Sequence, residues 1–255
     1  MRLLASLRAA VLLPAAGLLL SSVAAAAEPV TELRVYQLHQ DGRLVSTEIG
    51  ASARIDDTEA TGTAEAVRFA FANGDSIGRL EEGFPQIAAG DTSLGAFTLQ
   101  TFGSAERLPE GPSTITFEGG SLDGWTVVHD LALAWLPRAP EVTPGAVQKL
   151  KNHAERKPVK VQLNGFTARR GAALAQAYLY LERAVPNGSG GEFYQTIFEA
   201  LELAPSTRTV ELPAHTLEPG RYRLNLVHVQ VSPATNTSRP VTYYSANVLE
   251  FTRSR

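Results

Sequence analysis

The sequence predicts an all-β protein built as two consecutive sheet-on-sheet units, and three observations lead there. Short alternating segments rich in β-branched and aromatic residues recur between Gly, Pro and Asp punctuation, and no helical stripe of comparable strength competes with them. A Pro-Gly turn feeding one long alternating strand, Leu217 to Val231, has a partial second copy 109 residues earlier at Leu108 to Phe117. Between the two copies, Pro137, Pro140 and Pro144 fall within eight residues, and the alternation stops there.

In the long strand Tyr222, Leu224, Leu226, His228 and Gln230 project to one face, and Arg223, Asn225, Val227, Val229 and Val231 to the other. Pro219 and Gly220 supply the preset φ and the permissive backbone that a turn needs before it. In the earlier copy Gly111, Ile115 and Phe117 stand where Gly220, Leu224 and Leu226 stand, and Ser113 takes the place of Tyr222. The run Leu217-Glu-Pro-Gly220-Arg-Tyr222 resembles the turn-into-strand segment of bacterial immunoglobulin-like and fibronectin-type-III-like sandwiches. The resemblance implies two tandem immunoglobulin-like β-sandwich domains, because the offset between copies is about the length of one such domain.

Residues 1–27 carry Arg2 and Arg8, an apolar run from Ala9 to Leu20, and small residues ending at Ala27. This is the order of a cleaved secretory signal peptide, with an apolar core short for a membrane span, and cleavage is expected before Glu28. The chain has no cysteine, hence neither a disulfide nor a lipid-attachment thiol. The expectation is an exported protein, periplasmic or extracellular, with no transmembrane segment in the mature chain.

The expected domains are 28–138 and 139–255. The first holds 17 acidic residues and 7 arginines with no lysine, the second 9 acidic and 14 basic residues. Such asymmetry docks one domain on the other or gives each its own partner. In the first domain the predicted strands are Thr31–Leu38, Arg43–Ile49, Ala66–Ala72, Ala96–Phe102, Ser113–Phe117 and Trp125–Trp135. Val67, Phe69 and Phe71 share a face, and Trp125 and Trp135 are expected as core anchors. In the second domain they are Val159–Leu163, Ala175–Ala184, Glu192–Leu201, Thr207–Leu212, Arg221–Ser232 and Tyr243–Thr252. Thr143 followed by Pro144 predicts a capped helix over 145–155.

Candidate chemistry is sparse. Gly74-Asp75-Ser76-Ile77-Gly78 fits the Gly-x-Ser-x-Gly pattern and is similar to the Gly-Asp-Ser block of the SGNH hydrolases, which puts Ser76 in the nucleophile's position. The chain offers no Asp-x-x-His to supply a base and no Gly-x-Asn-Asp for an oxyanion site, and a serine is a poor nucleophile without a positioned base. His39, His129, His153, His215 and His228 lack the spacing of a transition-metal site. The acidic pairs Asp56-Asp57 and Glu81-Glu82, with Asp75, Asp91 and Asp123 in Gly-rich loops, suit calcium by ligand type but form no Asp-x-Asp-x-Asp ladder. No cofactor is expected. Nucleic acid is disfavoured by the acidic mature chain, which has no basic stripe interleaved with aromatics.

The favoured reading is a non-catalytic binding or structural protein of the bacterial envelope, with an envelope protein or a polysaccharide as partner. A serine hydrolase using Ser76 and a carbohydrate-binding accessory module are the alternatives. The residues expected to meet a ligand or partner are Tyr178, Tyr180, Tyr243 and Tyr244, as aromatic platforms, and Lys149, Lys151, Lys157 and Lys160, the protein's four lysines.

Overall fold

The computed structural model describes residues 29–56, 64–80, 93–103, 106–152, 156–188 and 190–254. The expected signal segment, 1–27, lies outside them. Among the described residues the protein is mainly β, 58% strand with one short helix. In chain order the elements are β1 Val30–Gln40, β2 Arg43–Asp56, β3 Ala66–Ala70, β4 Ser76–Leu80, β5 Ser93–Gly103, β6 Gly111–Glu118 and β7 Thr126–Leu131. After them come α1 Pro144–Lys151, β8 Val159–Gln162, β9 Leu174–Pro186, β10 Glu192–Leu203, β11 Thr209–Leu212, β12 Gly220–Val231 and β13 Val241–Arg253.

Most strands fall where alternation and turn chemistry put them, and the exceptions have identifiable causes. The segment expected as one strand over Trp125–Trp135 ends at Leu131, where the Tyr243 hydroxyl accepts the Ala132 N–H in place of a ladder partner. Leu133–Trp135 then forms a single 3-10 turn. β9 holds good helix formers yet is a strand, because β10 and β12 pair with it from both sides. The helix begins as its cap requires, with the Thr143 hydroxyl accepting the Ala146 N–H at 3.3 Å.

The strands form sheets ordered β10-β9-β12-β13-β1-β2-β5, β4-β3-β6-β7 and β11-β8. The connectivity repeats with a shift of six. The neighbours β2-β5 and the order β4-β3-β6-β7 in the first half return as β8-β11 and β10-β9-β12-β13 in the second. β6 and β12, which open on the two copies of the glycine turn, occupy equivalent places in this repeat.

The two halves do not merely follow one another. β1 pairs in parallel with β13 from Leu33–Val241 to Gln40–Val248, so one seven-stranded sheet runs through both. Two hydrophobic cores lie on the same face of that sheet. The first joins Leu33, Val35, Ile49, Val241 and Tyr243 to Phe69, Phe117 and Leu131 of the four-stranded layer. Val67, Phe69 and Phe71 are all in it, and Trp125 and Trp135 pack against it half-buried.

The second core joins Leu179, Leu181, Tyr222 and Leu224 to Val161 and Leu212 of the two-stranded layer and to Leu150 of the helix. β1 stops at Gln40–Val248, so beyond Val248 β13 pairs with β12 alone. The helix packs beside this stretch through Ala146 and Leu150 and covers what would be a bare edge.

Between the cores the same face turns polar, because there it meets the proline-rich connection instead of a second layer. His228 Nδ1 donates to the Arg138 carbonyl at 2.7 Å, Gln230 to Trp135 O at 2.9 Å and Asn247 to Pro140 O at 2.8 Å. Arg169 adds a bond to Ala134 O and lies over the Trp135 ring at 4.7 Å. His129 Nδ1 donates to Pro240 O, which leaves Nε2 to accept from the Thr31 hydroxyl at 3.1 Å. These buried polar side chains satisfy carbonyls that no ladder can reach.

Candidate functional site

Both cores and the proline-rich connection use one face of the seven-stranded sheet. Among the described residues, no layer packs on the other. Alternation places Arg34, Tyr36, Tyr244, Val229, Tyr178, Tyr180, Asn225, Arg223, Glu182 and Glu250 on this second face, and the ladder registers bring them side by side. Tyr36 stacks on Tyr244 with ring centroids 4.6 Å apart and planes 14° from parallel. Tyr178 donates to Gln176 Oε1 at 2.6 Å. Burial raises the pKa of all four phenols above the ordinary value of 10, so each remains a neutral hydroxyl able to donate and accept.

Beside the tyrosines lies a compact charged cluster. Arg223 donates to Glu250 Oε1 at 2.9 Å, its guanidinium sits 3.8 Å from the centre of the Tyr194 ring, and it pairs across the ladder with Glu182. Arg223, Glu182 and Asn225 are 2%, 5% and 7% exposed, although they stand on a face that no layer covers. Burial raises the Glu182 pKa, opposed by a hydrogen bond from Asn225 and the charge of Arg223. Three atoms of the cluster, Glu182 Oε2, Arg223 Nε and Asn225 Oδ1, are buried without a hydrogen-bond partner. Two acceptors and one donor of one patch are thus desolvated without compensation.

The structure gathers some of the expected ligand residues and separates others. Tyr178, Tyr180 and Tyr244 share the uncovered face. Tyr243 does not: it is fully buried in the first core, and burial pushes its phenol up to about 12. Adjacent strand residues face opposite ways, so Tyr243 and Tyr244 cannot both meet a ligand there. Lys149 and Lys160 line one groove between the helix and β8, with Gln148, Asn152 and Pro158. Lys151 lines a second groove with Tyr194, Arg221 and Glu250, next to the Arg223 cluster. Lys157 is exposed in the segment before β8.

Ser76 opens β4, and its motif makes the hairpin between β3 and β4, closed by Gly74 N–H to Phe71 O at 2.9 Å and Phe71 N–H to Asp75 O at 2.8 Å. A nucleophile elbow needs a strand, a turn and then a helix, and here a second strand follows. The Ser76 side chain itself lies outside the described residues, as do Asp57, Glu81, Glu82, Asp91 and His153. Asp75 is occupied by Asn73 and Asp123 by the Gly119 N–H, and no cluster of metal ligands forms among the described residues.

Sequence reasoning missed Tyr36, Arg34, Tyr194 and Glu182 as members of one surface. Their alternation was readable, but their company depends on which strands pair: β1 with β13 for Arg34 and Tyr36, and β9 with β10 and β12 for Tyr194 and Glu182.

The protein is thus a mainly-β chain whose largest sheet is, among the described residues, covered on one face only. No protein-family model matches the chain, and no curated protein does. Among solved structures, a DUF3823 family protein from Parabacteroides merdae ATCC 43184 is similar at 10% identity and a TM-score of 0.26, over 86% of this chain and 98% of that one.

Proposed function

We propose that the chain is an exported, non-catalytic binding protein of the bacterial envelope, made of two immunoglobulin-like sandwiches that share one sheet, and that it holds a polysaccharide on the uncovered face. The immunoglobulin-like reading rests on the six-strand repeat of connectivity and on Tyr222, whose hydroxyl donates to Glu218 O at 2.5 Å, four residues upstream at the turn into β12. That bond has the form of the tyrosine corner of such sandwiches. Export rests on the charged, apolar and small-residue order of residues 1–27.

The observation that carries the binding reading is the row of Tyr36, Tyr244, Tyr178 and Tyr180 on the uncovered face. Phenol faces stack on sugar rings. The hydrolase alternative draws less support. Its serine sits in a hairpin, and His39, His129 and His228 each bond a backbone carbonyl.

The test is a panel of immobilised polysaccharides (peptidoglycan, lipopolysaccharide O-chain and neutral glucans) probed with the purified chain and with a Tyr178→Ala, Tyr180→Ala variant. Retention of the wild type on at least one glycan, weakened about tenfold or more in the variant, is expected. Binding to none, or binding that ignores the tyrosines, overturns the reading. In parallel, a serine-directed phosphonate is expected not to label the chain, and labelling abolished by Ser76→Ala would establish the hydrolase instead.

A further inference from the structure

The charges on the uncovered face are sorted by sign. Among the described residues the ladders place five arginines there and no lysine: Arg34 on β1, Arg43 and Arg54 on β2, Arg221 and Arg223 on β12. Three of them are neutralised within the sheet. Arg34 pairs with Glu32, Arg221 with Glu192 at 2.6 Å and Arg223 with Glu250 at 2.9 Å. The other two stand at the ends of β2, five and six residues from Glu48, and so about 16 and 20 Å along the strand from it.

Carboxylates, by contrast, flank the tyrosine row unpaired. Glu48 on β2 stands opposite Tyr36, and Glu199 on β10 stands opposite Tyr180. Further along β10 the pairing with β9 passes from Ala200–Leu179 to Leu203–Ala177, so Leu201 and Glu202 together oppose Tyr178. Burial and, after it, the charge of Glu202 raise the Tyr178 phenol, which sets this carboxylate within electrostatic reach of the ring. Glu199 and Glu202 are exposed and Glu48 is half-buried, and none of the three has a cationic partner among the described residues.

The row is thus a strip of neutral aromatic rings with one carboxylate at its β2 end and two at its β10 end, five strand spacings or about 24 Å apart. Such a strip repels an anionic chain and attracts a cationic one, and a phenol face itself draws an ammonium group. We propose, building on the reading that this face holds a polysaccharide, that the ligand is a cationic glycan, an amino-sugar polymer with free amines. Its rings lie along the tyrosines, and its ammonium groups meet Glu48 at one end and Glu199 and Glu202 at the other.

The test is equilibrium binding of the full chain to chitosan oligomers, at a pH where their amines are protonated, beside fully N-acetylated oligomers of the same length and oligogalacturonate. The amino oligomers are expected to bind at least about tenfold more tightly than the N-acetylated ones, about two- to threefold from each of the three carboxylates, and oligogalacturonate is expected not to bind. Raising the salt should narrow the difference. In a Glu48→Gln, Glu199→Gln, Glu202→Gln variant the preference should fall to within about threefold, whereas Tyr178→Ala, Tyr180→Ala should weaken both oligomers. The salt dependence of the wild type keeps the test independent of how the variants fold. N-acetylated oligomers bound as tightly as amino ones, a preference that survives in the glutamine variant, or retention of poly-lysine without the amino glycan would overturn the proposal. The first two outcomes leave the polysaccharide reading standing, and a chain that binds no glycan at all removes both.

Discussion

His228 Nδ1 and the Arg138 carbonyl, 2.7 Å apart, fasten the proline-rich connection to the middle of the seven-stranded sheet. The ring is buried against Phe166, with centroids 4.4 Å apart, and burial lowers its pKa below 6.5 despite the carbonyl. His39 and His129 are lowered for the same reason. The unfolded chain therefore takes up protons near pH 6.5 that the fold refuses. The stability these groups contribute is complete above that pH and is lost as the pH falls through their folded values. Denaturant titrations should show a plateau above about pH 7 and a decline below it, limited to about 1.4 kcal/mol per pH unit for each histidine. His228→Asn, which keeps a donor near the carbonyl, should flatten the slope, and an unchanged slope would count against this role.

Tyr222→Phe removes the hydroxyl that donates to Glu218 O but keeps the ring stacked on Phe251, with centroids 5.3 Å apart. A loss of about 1 kcal/mol is expected. It should be read as a lower urea midpoint with an unchanged slope, since the surface exposed on unfolding is the same.

Gly111 opens β6 at φ +112°, and an added methyl there would lie 3.1 Å from the Ala72 side chain. Gly111→Ala should cost about 1–3 kcal/mol. Gly42→Ala, at φ +79° with nothing within 4 Å of the added carbon, should cost less, about 1–2 kcal/mol. Thermal melts of the two variants give the comparison directly, and equal costs would mean that the Ala72 contact relaxes freely.

Cutting the chain at Pro140 removes β1 from β13. The second half alone would then expose the edge from Val241 to Val248, together with Val241 and Tyr243, which are fully buried in the first core. Residues 139–255 expressed alone should be poorly soluble and should co-purify with residues 28–138 when the two are produced together. A soluble, cooperatively folding second half would show that the shared sheet is dispensable.

The strand positions were largely legible in the sequence because alternation and turn residues are local signals. Leu224 and Leu226 enter the second core as their spacing implies, and Thr143 caps the helix it precedes. β4 was not legible, since Ser76-Ile-Gly-Arg-Leu80 is short, contains a glycine and overlaps a hydrolase-like pattern. The end of β7 was not legible either, because what stops it is the hydroxyl of Tyr243, 111 residues away. Of the four tyrosines chosen as platforms, Tyr178, Tyr180 and Tyr244 share the open face. The alternation that placed them also puts Tyr243 on the reverse.

The amino-acid sequence alone determined that this is a β protein, where its turns fall, and which residues of each strand share a side. Those properties follow from φ preferences and a two-residue period within short windows. Only the tertiary structure decided which side of each strand is covered, and that the first and last strands lie together so that two halves share one sheet. Strand pairing is made by backbone groups that every residue carries, so the choice of partner strand is settled by how the buried faces of the whole chain fit together.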